Sequence, residues 1–87
     1  MNIEHMTASE RSRRAKELLD DPFLQHVLSM MEQAYIEAWK NSPRDDWDAR
    51  EGAYSRLFAL TEFRADLKKV ATESAINAFN RRSREVI

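Results

Sequence analysis

The 87-residue chain has no cysteine, a single glycine and two prolines. Without cysteine there is no disulfide scaffold and no thiolate metal site, which fits a reducing compartment. So little glycine and proline excludes a fold that turns often, as β-sandwiches and loop-rich domains must. Long apolar runs are missing too. None approaches the ~20 residues of a membrane span, and the start of the chain carries no signal-peptide core. The expectation is a soluble, unprocessed protein that neither enters a membrane nor is secreted.

What is present is helix former. Ala, Leu, Glu, Arg, Lys and Met dominate, and the sequence predicts an all-α fold. At this length the chain reads as one helical domain spanning residues 1–87, with 1–6 and 83–87 expected to fray. A domain of this size buries only about 60% of the surface its unfolded chain exposes, so self-association would add needed stability. The net charge of −1 conceals a segregation: residues 1–16 sum to +2, 17–51 to −6 and 52–87 to +3. Opposite charges of this kind pair within one fold or between copies.

Two breaks organise the chain. Ser42, Pro43, Arg44, Asp45 and Asp46 interrupt helix-patterned sequence on both sides, and Asp21-Pro22 marks a second boundary. The result is an antiparallel helical hairpin, helix 2 over about 22–41 and a long helix 3 over about 46–82, preceded by a short helix over about 8–20. Thr7-Ala8-Ser9-Glu10 has the form of a capping box. Asp21 followed by Pro22 is an N-cap followed by proline at the first helical position, where a missing N–H costs nothing. Asp45, Asp46 and Asp48 suit the first turn of helix 3. Gly52 inside that helix suggests a close backbone approach or a bend.

Apolar spacing then sets the packing. The first helix offers only Ala15, Leu18 and Leu19. Helix 2 has a stripe at Leu24, Val27, Leu28, Met31, Tyr35, Ala38 and Trp39, and a second set at Phe23, Met30, Ala34 and Ile36, which is broader than one partner requires. Helix 3 carries Ala53, Leu57, Leu60, Phe63, Leu67, Val70 and Ala71, with Tyr54 and Phe58 alongside. Counting back from the tip pairs positions that sum to about 88, so Leu28 meets Leu60 and Met31 meets Leu57, with Trp39 and Trp47 closing the end. Helix 3 then runs on for about 24 Å past Pro22. Either the first helix folds back, setting Leu18 and Leu19 on Leu67 and Val70, or a second chain covers that stretch. Phe23, Met30, Ile36, Leu67, Val70, Ile76 and Phe79 are therefore the candidate interface residues for an oligomer or partner.

No constellation supports catalysis. His26 has no carboxylate or second histidine one helical turn away, and His5 stands in the loose start, so neither reads as a metal ligand or general base. Glu62, Asp66 and Glu73 alternate with Lys69 as a solvated salt-bridge face. The tip aspartates lack the spacing and glycine of a calcium loop, and no serine has a histidine placed to activate it. The chain reads as a non-enzyme with no cofactor, metal or small-molecule ligand. Nucleic acid is the stronger alternative. Arg11, Arg13, Arg14 and Lys16 form one basic cluster, and Arg81, Arg82 and Arg84 another, so Arg11, Arg14, Arg81, Arg82 and Arg84 are the candidate phosphate contacts. Glu10 and Glu17 offset the first cluster, cations near the end of helix 3 suit its dipole, and the pI of about 6.1 is low for a dedicated DNA-binding domain, so this is not the favoured reading.

The run from Arg14 to Phe23 (RAKELLDDPF), the helix with Met31-Glu32 and Glu37-Ala38-Trp39, the proline- and aspartate-bearing turn and the segment Arg64-Ala65-Asp66-Leu67 together resemble small helical proteins encoded among the head-assembly and DNA-packaging genes of tailed bacteriophages. The similarity covers residues 8 to 75. It implies an accessory or structural component acting through protein contacts, in several copies or on larger phage structural proteins, in the host cytoplasm or the virion. The group has no catalytic motif, so the resemblance assigns no functional residue. The expected function is a self-associating accessory component of particle assembly. The alternatives are a DNA-packaging factor resembling a small terminase subunit, and an inhibitor whose acidic tip at Asp45, Asp46 and Asp48 engages a host protein.

Overall fold

The structure is a computed structural model that describes residues 3–85, with side chains described from Glu4 to Ser83. It is all-α: a 3-10 turn at Ile3–His5, then α1 (Ala8–Leu19), α2 (Pro22–Lys40) and α3 (Trp47–Glu85), with no strand among the described residues. The helix boundaries follow local chemistry. Thr7 Oγ1 accepts the Glu10 N–H at 3.1 Å, the first half of the capping box. Asp21 caps α2 by accepting from the N–H groups of Phe23 (2.9 Å) and Leu24 (3.4 Å), with Pro22 at the first position. Of the three tip aspartates, Asp46 is the one that caps α3, accepting the Ala49 N–H at 3.0 Å.

The chain divides into two compact units: a hairpin unit, Asp21–Ala65, and a terminal unit made of Met1–Asp20 with Asp66–Ile87. Within the hairpin unit α2 and the first part of α3 lie together. Leu28, Ala53 and Leu60 are buried, and Leu24, Val27, Tyr35 and Leu57 are half-buried around them. Glu32 pairs with Arg64 across the hairpin, and the Arg50 guanidinium lies over the Trp39 ring, 5.8 Å from its centroid. The tip closes on its own backbone. Ser42 Oγ donates to the Trp39 carbonyl at 2.7 Å, and the Asp46 N–H donates to the Pro43 carbonyl at 3.0 Å. Trp39 and Trp47 border the tip, but Trp47 stays exposed and does not seal it. Gly52 needs a different account from the close approach that its position suggested. A Cβ built there meets no atom within 4 Å, so no neighbouring backbone requires glycine.

In the terminal unit α1 packs on the last part of α3 through small residues. Ser12, Ala15 and Ala71 are buried, and short side chains let two helix backbones approach closely. The Ser12 hydroxyl sits at the α3 backbone itself: it donates to the Val70 carbonyl at 2.8 Å and accepts the Ser74 N–H at 3.1 Å. Val70 and Ser74 are four residues apart, the spacing at which a helix pairs carbonyl with N–H, so this side chain enters the hydrogen-bond ladder of α3. Arg11 flanks it, donating to the Met6 carbonyl at 2.7 Å and pairing with Glu73 at 3.4 Å. The stretch of α3 that lay beyond the expected hairpin is thus met by α1. The contact centres on Ser12, while Leu18 remains exposed.

Candidate interaction surfaces

The balance between core and surface sets what this chain can do. Among the described residues the buried apolar side chains are three alanines and two leucines, Ala15, Leu28, Ala53, Leu60 and Ala71. Each buried leucine is worth ~2 kcal/mol and each alanine much less, which is little for a folded chain of this length. Meanwhile eleven large apolar side chains among the same residues are exposed, led by Phe23 at 74%, Trp47 at 69% and Phe79 at 68%.

Three apolar surfaces carry most of these exposed side chains. In the hairpin unit, Leu24, Val27, Met31, Tyr35, Ala59 and Phe63 line an open groove of about 440 Å³ whose one charged wall residue is Arg56. Phe23 and Met30 stand exposed on α2 of the same unit. Also in the hairpin unit, Trp39, Trp47 and Tyr54 border a second hollow of about 350 Å³ with Arg50 and Glu51. Trp, Tyr and Arg are the residue types that most often dominate binding energy at interfaces. In the terminal unit, Ile76 and Phe79 are exposed on α3.

The seven candidate interface residues therefore separate by burial. Phe23, Met30, Ile76 and Phe79 are exposed, whereas Ile36, Leu67 and Val70 are half-buried within their own units. Val70 sits against Ser12 through its carbonyl. Four exposed rings, Trp47, Tyr54, Phe58 and Phe63, belong with the first group. Sequence spacing alone assigns them to intrahairpin packing. The candidate phosphate contacts separate as well. Arg11 is held by Glu73 and the Met6 carbonyl, and Arg14 is paired with Glu17 at 2.9 Å. Arg81 and Arg82 are exposed and enter none of the ion pairs among the described residues. Arg84 is helical, and its side chain lies outside those described.

His5 and His26 are exposed, and among the described residues no three His, Asp or Glu side chains gather to hold a metal ion. Among the same residues no helix is long and apolar enough to cross a membrane. No protein-family model matches the chain, no curated protein is similar to it in sequence, and no solved structure matches its fold.

Proposed function

We propose that the chain is a non-enzymatic interaction protein that self-associates and serves as an accessory component of bacteriophage particle assembly. The observation that carries the self-association is the mismatch between a core of two leucines and three alanines and the exposure of eleven large apolar side chains. A partner surface offsets the cost of leaving those rings in water. The assembly role draws on the resemblance to small helical phage proteins in the segments around Arg14 to Phe23 and Arg64 to Leu67. The test is absolute mass by light scattering on a sizing column across a wide concentration range. The expected result is an oligomer whose dissociation is visible on dilution. A monomer throughout would overturn self-association.

One observation favours a second reading. Arg81 and Arg82 are exposed near the end of α3 without an acidic partner among the described residues, and paired arginines suit phosphate contact. A DNA-packaging factor would retain duplex DNA at low salt and release it steeply as salt rises. No retention at low salt would remove that reading.

A further inference from the structure

Self-association of the chain, on which this inference rests, requires surfaces that fit one another, and two patches on α3, one in each unit, remain without a partner. In the hairpin unit Trp47, Glu51, Tyr54 and Phe58 recur at spacings of four, three and four, which places them on one helix face. All three rings are more than half exposed. Asp48, Glu51 and Glu62 beside them are exposed and enter none of the ion pairs among the described residues, while Arg50, the cation bordering the same hollow, lies over the Trp39 ring. In the terminal unit Lys69, Thr72, Ile76 and Phe79 recur at three, four and three, again one face. Its flanking cations Lys68, Lys69 and Arg82 are exposed and equally unpaired among the described residues, and Glu73, the nearest acid, is engaged by Arg11.

Both patches are apolar, and their unpaired flanking charges are opposite in sign. The hairpin unit holds eight acidic against five basic residues, while residues 66–87 hold five basic against three acidic. We propose that the Trp47–Tyr54–Phe58 face of one copy seats on the Ile76–Phe79 face of a second copy. Like-on-like pairing would set Glu51 and Glu62 against themselves, or Lys69 and Arg82 against themselves, and like charges across an interface select against that register. Unlike pairing brings acid to base on both flanks of an apolar seam. The exposed parts of Trp47, Tyr54 and Phe58 amount to roughly 350 Å², and those of Ile76 and Phe79 to roughly 200 Å². The aliphatic stems of the flanking lysines and arginines extend this apolar contact on both sides. Because every copy carries both faces, the association needs no other component.

Two variants of the full chain test this by complementation. Phe58→Lys places a cation in the acidic face, and Phe79→Glu places an anion in the basic one. Both residues are exposed, so helicity by circular dichroism should stay that of the wild type. If Phe79→Glu loses helicity, Lys69→Glu on the same face takes its place. In sedimentation velocity each variant alone is expected to associate at least ~10-fold more weakly than wild type. An equimolar mixture should recover association, because each partner supplies the intact face the other lacks. A mixture as dissociated as its components would overturn the proposal while leaving wild-type self-association standing. A single variant that associates like wild type would overturn it too. Wild type that stays monomeric would remove the reading beneath it.

Discussion

In the hairpin unit, α2 and α3 are held by Leu28 and Leu60, with Ala53 also buried; in the terminal unit, α1 and α3 are held by Ser12, Ala15 and Ala71. The first pairing gains from bulk, since burying a leucine stabilises by ~2 kcal/mol. The second gains from closeness: small side chains bring the backbones together and a hydroxyl bonds directly to the α3 main chain. Glu32 pairs with Arg64 in the hairpin unit and Arg11 with Glu73 in the terminal unit, and partly exposed pairs contribute only ~0–1 kcal/mol. The hairpin unit therefore holds most of the stability, and the terminal unit is the part expected to open first.

The strongest way to break the comparison is to remove bulk from the hairpin. Leu60→Ala leaves a cavity beside Leu28 and should cost ~2–5 kcal/mol, a large share of the stability of any small domain. Urea unfolding followed by circular dichroism would show the midpoint falling, or a chain already unfolded without denaturant. A cost below ~1 kcal/mol would mean that Leu60 is not core and that the hairpin is held elsewhere.

Next comes overfilling the close contact. Ser12→Leu drives a branched side chain into a site that is 3% exposed, and overpacking of this kind costs ~1–3 kcal/mol. The loss should be local. Amide hydrogen exchange should rise across α1 while α2 and the first part of α3 keep their protection. Equal loss of protection in α2 would show that the two units unfold as one and that the comparison is false.

These two sites also mark how far the sequence could be read. Thr7, Asp21 and Pro22 announce helix starts because capping depends on a few adjacent residues, and the burial of Leu28 and Leu60 follows from the apolar stripes that face each other across a short tip. Ser12 was not recognisable as core, because its role depends on Val70 and Ser74, some sixty residues away, and a serine on a polar helix looks solvated. Its one local sign is that Ala8, Ser12, Ala15 and Leu19 recur at spacings of four, three and four. Trp47, Tyr54 and Phe58 were misplaced for a different reason. A helix with two apolar stripes does not say which one its own chain will cover. The exposure of Phe23 and Met30, from the second set of α2, is legible because that stripe is wider than one partner needs, whereas Ile36 of the same set is half-buried.

A gain in stability sharpens the contrast within the hairpin. Gly52 lies in the α3 interior with open space around its missing Cβ. Gly52→Ala relieves the entropic cost of glycine without meeting a neighbour and should stabilise by ~0.5–1 kcal/mol. A rise in the urea midpoint would confirm that α3 passes there without a backbone partner. A fall would mean that something approaches Gly52 closely, for which a second copy is the first candidate, and the fall would then grow with protein concentration.

The smallest expected effect is the most discriminating. Ser12→Ala removes a buried hydroxyl with two hydrogen bonds, and orphaning a buried polar group ordinarily costs ~1–3 kcal/mol. Here the two groups left behind are the Val70 carbonyl and the Ser74 N–H, which are each other's natural partners in an α-helix. They can pair with each other without the hydroxyl, so nothing is orphaned. Alanine is also the better helix former in α1, by up to about 0.5 kcal/mol. The net change should therefore fall within ~0.5 kcal/mol of zero, against ~1–3 kcal/mol for Ser12→Leu at the same position. That gap would show that the terminal unit depends on closeness rather than on the hydroxyl's bonds. A loss of ~2 kcal/mol on Ser12→Ala would instead mean that α3 is held away from regular pairing at Val70 and Ser74, and that the hydroxyl is what completes the helix there.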